Sequence, residues 1–150
     1  MIHSYKISNE AFALIISEST HHFPNETGGM LVGRIELNCV VIQYATGPGP
    51  TAQHTPTKFK RDGDYSQEAL EALVGESKGQ FDYIGEWHSH PFRSNPSSLD
   101  IASMSWIAAN ESYAIHEPVM LLCIGSGINR WKLRCYLLVN NKLKTLKSTT

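Results

Sequence analysis

The residues best suited to chemistry lie around the segment Gly85–Pro91, which contains two histidines two positions apart, and Asp100 follows ten residues after the second. Apolar residues lead into this segment and predict a strand, in which alternate side chains share a face, so His88 and His90 point the same way. Pro91 ends strand pairing and turns the chain, which lets a short loop return Asp100 to the histidines. Two imidazoles and one carboxylate suit a divalent metal with one position left for water, as in catalytic zinc sites.

A purely structural interpretation of the same residues also stands. Ser97-x-x-Asp100 resembles a helix-capping box with Asp in place of Glu, and the apolar pattern over 101–108 predicts a helix after it. On this interpretation Asp100 serves only the helix start, and His88 and His90 are half-buried strand residues. The two interpretations are compatible, because a capped helix start is a rigid place for a metal ligand.

The order of these motifs resembles the JAMM/MPN+ (JAB) family of metalloproteases. Members carry His-x-His-Pro, a loop and Ser-x-x-Asp, together with an upstream glutamate near a strand start, here Glu26 in the segment Asn25–Arg34. Five residues separate Pro91 from Ser97. This loop is shorter than in the commonest eukaryotic pattern and resembles prokaryotic JAB members, which leaves loop-borne substrate contacts open.

The resemblance implies a role for each residue. Glu26 would take a proton from water and deliver one to the leaving amine, and Ser97 would hydrogen-bond the oxyanion. A zinc ion, one per chain, would be held by His88, His90 and Asp100. Periodicity alone leaves open whether Glu26 or Glu86 is the base, because Glu86 lies on the same strand face as the two histidines and could even be a third metal ligand. The resemblance favours Glu26 as the base.

The reaction implied is hydrolysis of the amide or isopeptide bond after the C-terminal tail of a ubiquitin-like or similarly conjugated protein. Within the family, the segments Ala45–Pro50, Thr57–Phe59 and Arg61–Asp62 resemble prokaryotic peptidases that accompany ubiquitin-like conjugation systems, some linked to antiphage signalling. Expected partners are therefore such a tail, E1- or E2-like conjugation enzymes, or a nucleotidyltransferase. The glycines within Thr27–Val32 suggest that an extended tail pairs beside that strand.

Two other classes of protein are considered. A non-catalytic MPN scaffold binds partners without metal, but such members have usually lost ligand residues, and all of them are present here. Zinc deaminases use H-x-E with P-C-x-x-C, and the chain contains no C-x-x-C.

Length and composition narrow the class further. The chain has 150 residues, which suits one domain spanning 1–150, and its net charge of −1 offers no electrostatic case for nucleic-acid binding. Three separate cysteines in apolar runs predict reduced thiols in a cytoplasmic protein. No apolar stretch approaches membrane-spanning length, and the polar start does not resemble a signal peptide.

The elements that must position the site follow from periodicity. Together they predict an α/β fold, a single MPN/JAB-like domain in which a mixed, mainly antiparallel sheet is flanked by about three helices. Two helices are expected before the metal motif, one from a Ser8 cap to about His21 and one from Asp64 to Gly79. Strands are expected at 27–32, 39–45, 118–124 and 131–139, with an edge strand at 142–146. Connections are expected at Gly33–Asn38, at Gly47–Thr57 with a surface His54, at Ser126-Gly127 and at Asn140-Asn141.

Overall fold

The computed structural model of the chain describes residues 1–125 and 130–149, and the predicted turn at Ser126-Gly127 lies outside them. The described strands are β1 (Ser4–Ile7), β2 (Gly28–Glu36), β3 (Cys39–Ala45), β4 (Gln53–His54), β5 (Phe59–Lys60), β6 (Asp82–His90), β7 (Val119–Gly125), β8 (Trp131–Val139) and β9 (Lys142–Ser148). The described α-helices are α1 (Asn9–His22), α2 (Gly63–Glu76) and α3 (Ser98–Ala109), and a short 3-10 helix covers Glu111–Tyr113.

Seven of these strands close into a barrel in the order β1-β3-β2-β6-β7-β8-β9. The β1–β3, β1–β9 and β6–β7 pairs are parallel and the other four are antiparallel, so the mixed, mainly antiparallel pattern is confirmed. Closure was not predicted. The expected edge strand β9 pairs with β8 on one side and with β1 on the other, which removes the exposed edge.

Alternation along β7 separates two apolar clusters. Val119, Leu121 and Cys123 belong to the cluster that includes Ile15 of α1, whereas the intervening residues of β7 join the cluster under α3. The second cluster contains Met104 of α3. The strand is almost wholly buried, as a central strand should be. The face under α3 is the one that carries the histidines.

Several element boundaries differ from the predictions. The cap of α2 is Asp62, whose side chain accepts from the Tyr65 N–H, rather than Asp64, and the helix ends at Glu76 before Gly79. Strand β2 continues to Glu36 where a hairpin connection was expected. The Ser8 cap of α1 and the Asn140-Asn141 turn, in which both residues have positive φ, are confirmed. These differences arise because pairing partners, which sequence periodicity does not specify, extend or shorten an element.

Two further expectations concern thiols and membranes. Cys39, Cys123 and Cys135 are free, and the last two are buried. Within the described ranges, no helix combines the length and apolar character needed to cross a bilayer.

Candidate metal centre and active-site groove

Strand β6, the fourth of the seven strands in the barrel order, brings the two histidines to the face under α3. His88 lies opposite Leu122 of β7, and His90 lies opposite Ile124. Close approach of β7 depends on Gly85, because a Cβ there would lie 1.8 Å from the Val119 carbonyl oxygen. The glycine therefore allows the parallel pairing that holds the histidine-bearing end of β6.

Asp100 is held at the first turn of α3 by a complete capping box. The Ser97 N–H donates to Asp100 Oδ2 at 2.7 Å, and the Asp100 N–H donates to Ser97 Oγ at 3.1 Å. The predicted capping box is therefore confirmed, but Asp100 does not serve the helix start alone, because the same carboxylate also reaches the histidines. The hydroxyl of Ser97 accepts in this box, so its own proton remains available for a contact in the groove.

The three predicted ligands come together at distances that suit one metal ion. Asp100 Oδ1 lies 3.0 Å from His88 Nε2, and Asp100 Oδ2 lies 3.3 Å from His90 Nε2. The two Nε2 atoms are 3.1 Å apart. Ligands about 2.0–2.1 Å from a tetrahedral ion are separated by about 3.4 Å, close to these values. Within residues 1–125 and 130–149, this is the one group of three or more such residues that could hold a metal.

The electrostatics of the trio favour an ionised carboxylate. Burial opposes ionisation, but the hydrogen bonds to His88 and His90 more than offset it and hold the pKa of Asp100 well below its usual range. His90 is fully buried, and its Nδ1 has no hydrogen-bond partner among the described residues. Metal-bound histidines usually have such a partner, so complete burial must fix the orientation of this ring instead.

Glu26 is buried beside the loop that follows β6, at 3% exposure. Its carboxylate accepts from Arg93 Nη2 at 2.9 Å. Its backbone is held at both ends by the β4 segment, that is, β4 and the following Thr55. Its N–H donates to Thr55 O at 2.8 Å, and its carbonyl lies 2.9 Å from His54 Nδ1. His54 also stacks on His22 with ring centroids 3.9 Å apart. His54, expected as a surface residue, is thus half-buried and engaged with Glu26 and His22.

Sequence reasoning missed both residues that hold Glu26. Arg93 is a single cation in an irregular loop, and His54 is a single histidine in a segment without periodicity. No local pattern distinguishes either from a solvated side chain. The contacts become visible only when the β4 segment and the loop after β6 lie beside Glu26.

Glu86 is committed to other partners. Arg61 Nε donates to it at 2.8 Å, and the Tyr83 hydroxyl donates to its other oxygen. Burial raises the pKa of Glu86, although Arg61 and Tyr83 act against this shift. A carboxylate with both oxygens engaged is poorly placed to exchange protons with water, so the geometry favours Glu26 over Glu86 as the base.

A groove of about 420 Å³ contains most of the predicted site residues. Glu26, His88, Ser97 and Asp100 line it, whereas His90 lies buried beneath. Its walls are formed by residues 57–61 around β5 on one side and by residues 97–104 of α3 on the other. The structure therefore brings all five predicted site residues to one region, and their catalytic roles stay predictions.

The expected pairing of a substrate tail beside Thr27–Val32 is excluded at Leu31 and Val32, because β2 is paired there with both β3 and β6. Gly28 and Gly29 are paired with β6, and their other surroundings are also close. A Cβ at Gly29 would lie 2.0 Å from the Thr46 carbonyl oxygen, and one at Gly28 would lie 2.4 Å from that of Trp87. These glycines accommodate the chain's own backbone. Among the described pairings, β5 is joined only to β4 and leaves its other edge free.

Comparison with known proteins agrees with the motifs. The family model described as prokaryotic homologues of the JAB domain matches residues 8–134. This covers most of the chain, and the chain belongs to that family.

Individual relatives are moderately similar. A "CD-NTase/cGAS isopeptidase" of Escherichia coli is 33% identical over 71% of this chain and 65% of its own length, so the chain spans about two thirds of that relative. A protein of the same description from Enterobacter hormaechei is 32% identical over 88% of this chain and 73% of the relative. A "Probable metalloprotease" of Sinorhizobium fredii is 30% identical over 71% of this chain and 66% of that protein.

A solved structure shows the same fold. The solution structure of protein DSY2949 from Desulfitobacterium hafniense superposes with a TM-score of 0.67 at 18% identity, covering 96% of this chain and 90% of that one. At this identity the likeness concerns the fold alone.

Proposed function

We propose that the protein is a zinc-dependent peptidase that hydrolyses the amide bond after the C-terminal tail of a ubiquitin-like or similarly conjugated protein. The observation that carries this proposal is the trio of His88, His90 and Asp100 at the floor of a groove that also contains the buried carboxylate of Glu26. A non-catalytic scaffold has no need for this complete set. The relatives named isopeptidase and metalloprotease support the same reaction class.

The donor set suits zinc, which binds neutral imidazole and carboxylate in four-coordinate sites. When bound, zinc would polarise the scissile carbonyl and lower the pKa of a water to about 7. Glu26 would accept a proton from the attacking water and later donate one to the leaving amine. Arg93 and the β4 segment hold Glu26 in place for both transfers. The Ser97 hydroxyl donates a hydrogen bond to the oxyanion that develops on the scissile carbonyl.

The groove suits an extended peptide. Strand β5 lines one wall and is paired only with β4 among the described strands, so a tail can pair with its other edge through its backbone and then pass the metal ligands. The protein that carries this tail is proposed to be a nucleotidyltransferase or a ubiquitin-like protein, because the relatives are named CD-NTase/cGAS isopeptidases. E1- or E2-like conjugation enzymes would attach the tail. Three free cysteines favour a reducing compartment, the cytoplasm.

The test compares two isosteric variants of groove carboxylates. Glu26→Gln keeps an oxygen for Arg93 but loses the base and the acid, so turnover of a tail fusion should fall about 10³-fold or more. Glu86→Gln is the matched control and should stay within about tenfold of wild type, because Glu86 takes no part in proton transfer.

Zinc content and melting temperature are measured for both proteins. The proposal predicts that Glu26→Gln binds zinc as wild type does. A fully active Glu26→Gln variant, or wild type that retains no more zinc than a His88→Ala/His90→Ala variant, would contradict it.

A further inference from the structure

Three cations lie at the start of β8, on the far side of β7 from the metal ligands: Arg130, Lys132 and Arg134, the β8 cation cluster. Arg134 lies opposite Leu122, which in turn lies opposite His88. Lys132 lies opposite Ile124, which in turn lies opposite His90. Directly opposed residues share a sheet face, and two strand spacings amount to about 10 Å. Lys132 and Arg134 therefore stand on the histidine face, about 10 Å from the metal ligands.

The cluster borders a hollow of about 520 Å³. The loop after β6 forms its other wall, through Phe92, Arg93 and Ser94. No Asp or Glu lines this hollow, and the β8 cation cluster forms no ion pair within residues 1–125 and 130–149. Arg93 is paired with Glu26, so the uncompensated charge comes from β8. In a chain whose net charge is −1, this positive field is local.

The hollow and the groove adjoin each other at one residue. Arg93 lines both, and the metal ligands lie between the β5 wall of the groove and the β8 cation cluster. A tail that enters along β5 and passes the metal ligands therefore continues past Arg93 into the hollow. With the tail placed along β5 as in the proposed function, the part of the substrate that reaches the hollow is the leaving-amine side of the scissile bond.

We propose that the β8 cation cluster binds an acidic segment of the protein on the leaving-amine side, and so selects which conjugates or precursors are hydrolysed. This proposal rests on the proposed function. Lys132 and Arg134 are two positions apart on one strand face, a span of about 7 Å. Such a short row matches two or three carboxylates of a peptide better than a long phosphate track, so a protein segment is favoured over nucleic acid.

The first test measures binding without catalysis. A fluorescent Glu-rich peptide and a length-matched Gln-rich peptide are titrated into the Glu26→Gln protein loaded with zinc. The Glu-rich peptide should bind at least about tenfold more tightly at low salt and lose this advantage as salt screens the charges. Lys132→Glu/Arg134→Glu should abolish the preference. Lys142→Glu is the control, since this exposed lysine lies at the opposite end of the β8–β9 hairpin.

The second test measures hydrolysis of two fusions that share one ubiquitin-like C-terminal tail and differ only in an acidic or neutral segment after it. Wild type should show a kcat/KM about tenfold higher for the acidic fusion. The double variant should bring the ratio near one, and Lys142→Glu should leave the ratio as in wild type.

The outcomes separate the two proposals. Equal cleavage of both fusions by wild type, or equal binding of both peptides, overturns the acidic-segment proposal while the peptidase function stands. Cleavage of neither fusion counts against the proposed function, and peptide binding then decides the role of the cluster. An oligonucleotide that displaces the Glu-rich peptide and binds more tightly through Lys132 and Arg134 would assign the cluster to nucleic acid instead.

Discussion

Substitutions of Ser97 can distinguish a catalytic role, stabilising the oxyanion, from a purely structural role as the cap of α3. Its hydroxyl accepts from the Asp100 N–H as a helix cap, while its backbone N–H holds the Asp100 carboxylate. Replacement by Ala removes the cap and costs about 1 kcal/mol, whereas replacement by Gly costs only a few tenths, because glycine is itself an acceptable N-cap. Both replacements keep the backbone N–H and therefore the hold on Asp100.

The two variants should differ in stability but agree in turnover. For a chain of this length, the loss of about 1 kcal/mol in Ser97→Ala lowers the melting temperature by about 3 °C, and Ser97→Gly should lower it by about 1 °C. If the hydroxyl stabilises the oxyanion, both variants lose about 10²-fold or more in kcat, with little change in KM.

The assay is calorimetry on each zinc-loaded variant together with kcat and KM on a tail fusion. If Ser97 only caps the helix, kcat should follow stability, and Ser97→Gly should turn over almost as fast as wild type. That result would refute the oxyanion assignment. Equal zinc content in all three proteins is the control, since it shows that Asp100 remains in position.

Three further predictions concern the metal ligands, His54 and the Arg61–Glu86 ion pair. Zinc should raise the melting temperature of the metal-free protein in a concentration-dependent way, and His88→Ala should lose this response, because a ligand that binds only the folded state stabilises it. His54→Ala should lower kcat about tenfold more than it changes KM, since the Glu26 carbonyl loses a partner. His54→Asn, whose amide can replace Nδ1, should recover most of this loss in kcat. Equal kcat in the two variants would argue against a role of His54 in positioning Glu26. Arg61→Leu should cost about 1–3 kcal/mol of unfolding free energy near neutral pH, because it leaves the half-buried Glu86 carboxylate without its cationic partner. Burial raises the pKa of Glu86 above its unfolded value, so the folded state binds the proton more tightly and denaturation of this variant should become harder as the pH falls.

The sequence alone determined the features that depend on neighbours along the chain. Alternation along β6 puts His88 and His90 on one face. The Ser97-x-x-Asp100 motif caps α3 and so directs the Asp100 carboxylate toward the histidines. The strands at Cys39–Ala45 and Trp131–Val139 have the predicted bounds because their apolar runs end at turn-forming residues. The family could be recognised from the order of the motifs along the chain, which is also a property of the sequence alone.

Only the tertiary structure decided which distant groups meet. It closed the sheet into a barrel through β9 and β1, paired Glu86 with Arg61, and left Glu26 with Arg93 as its partner. It also paired β2 on both sides between Leu31 and Gly33, which removes that stretch as a docking edge. Periodicity specifies which face a side chain takes but not which strand lies beside it. Side chains that act together here come from segments far apart in sequence, so their contacts arise from packing rather than from local pattern.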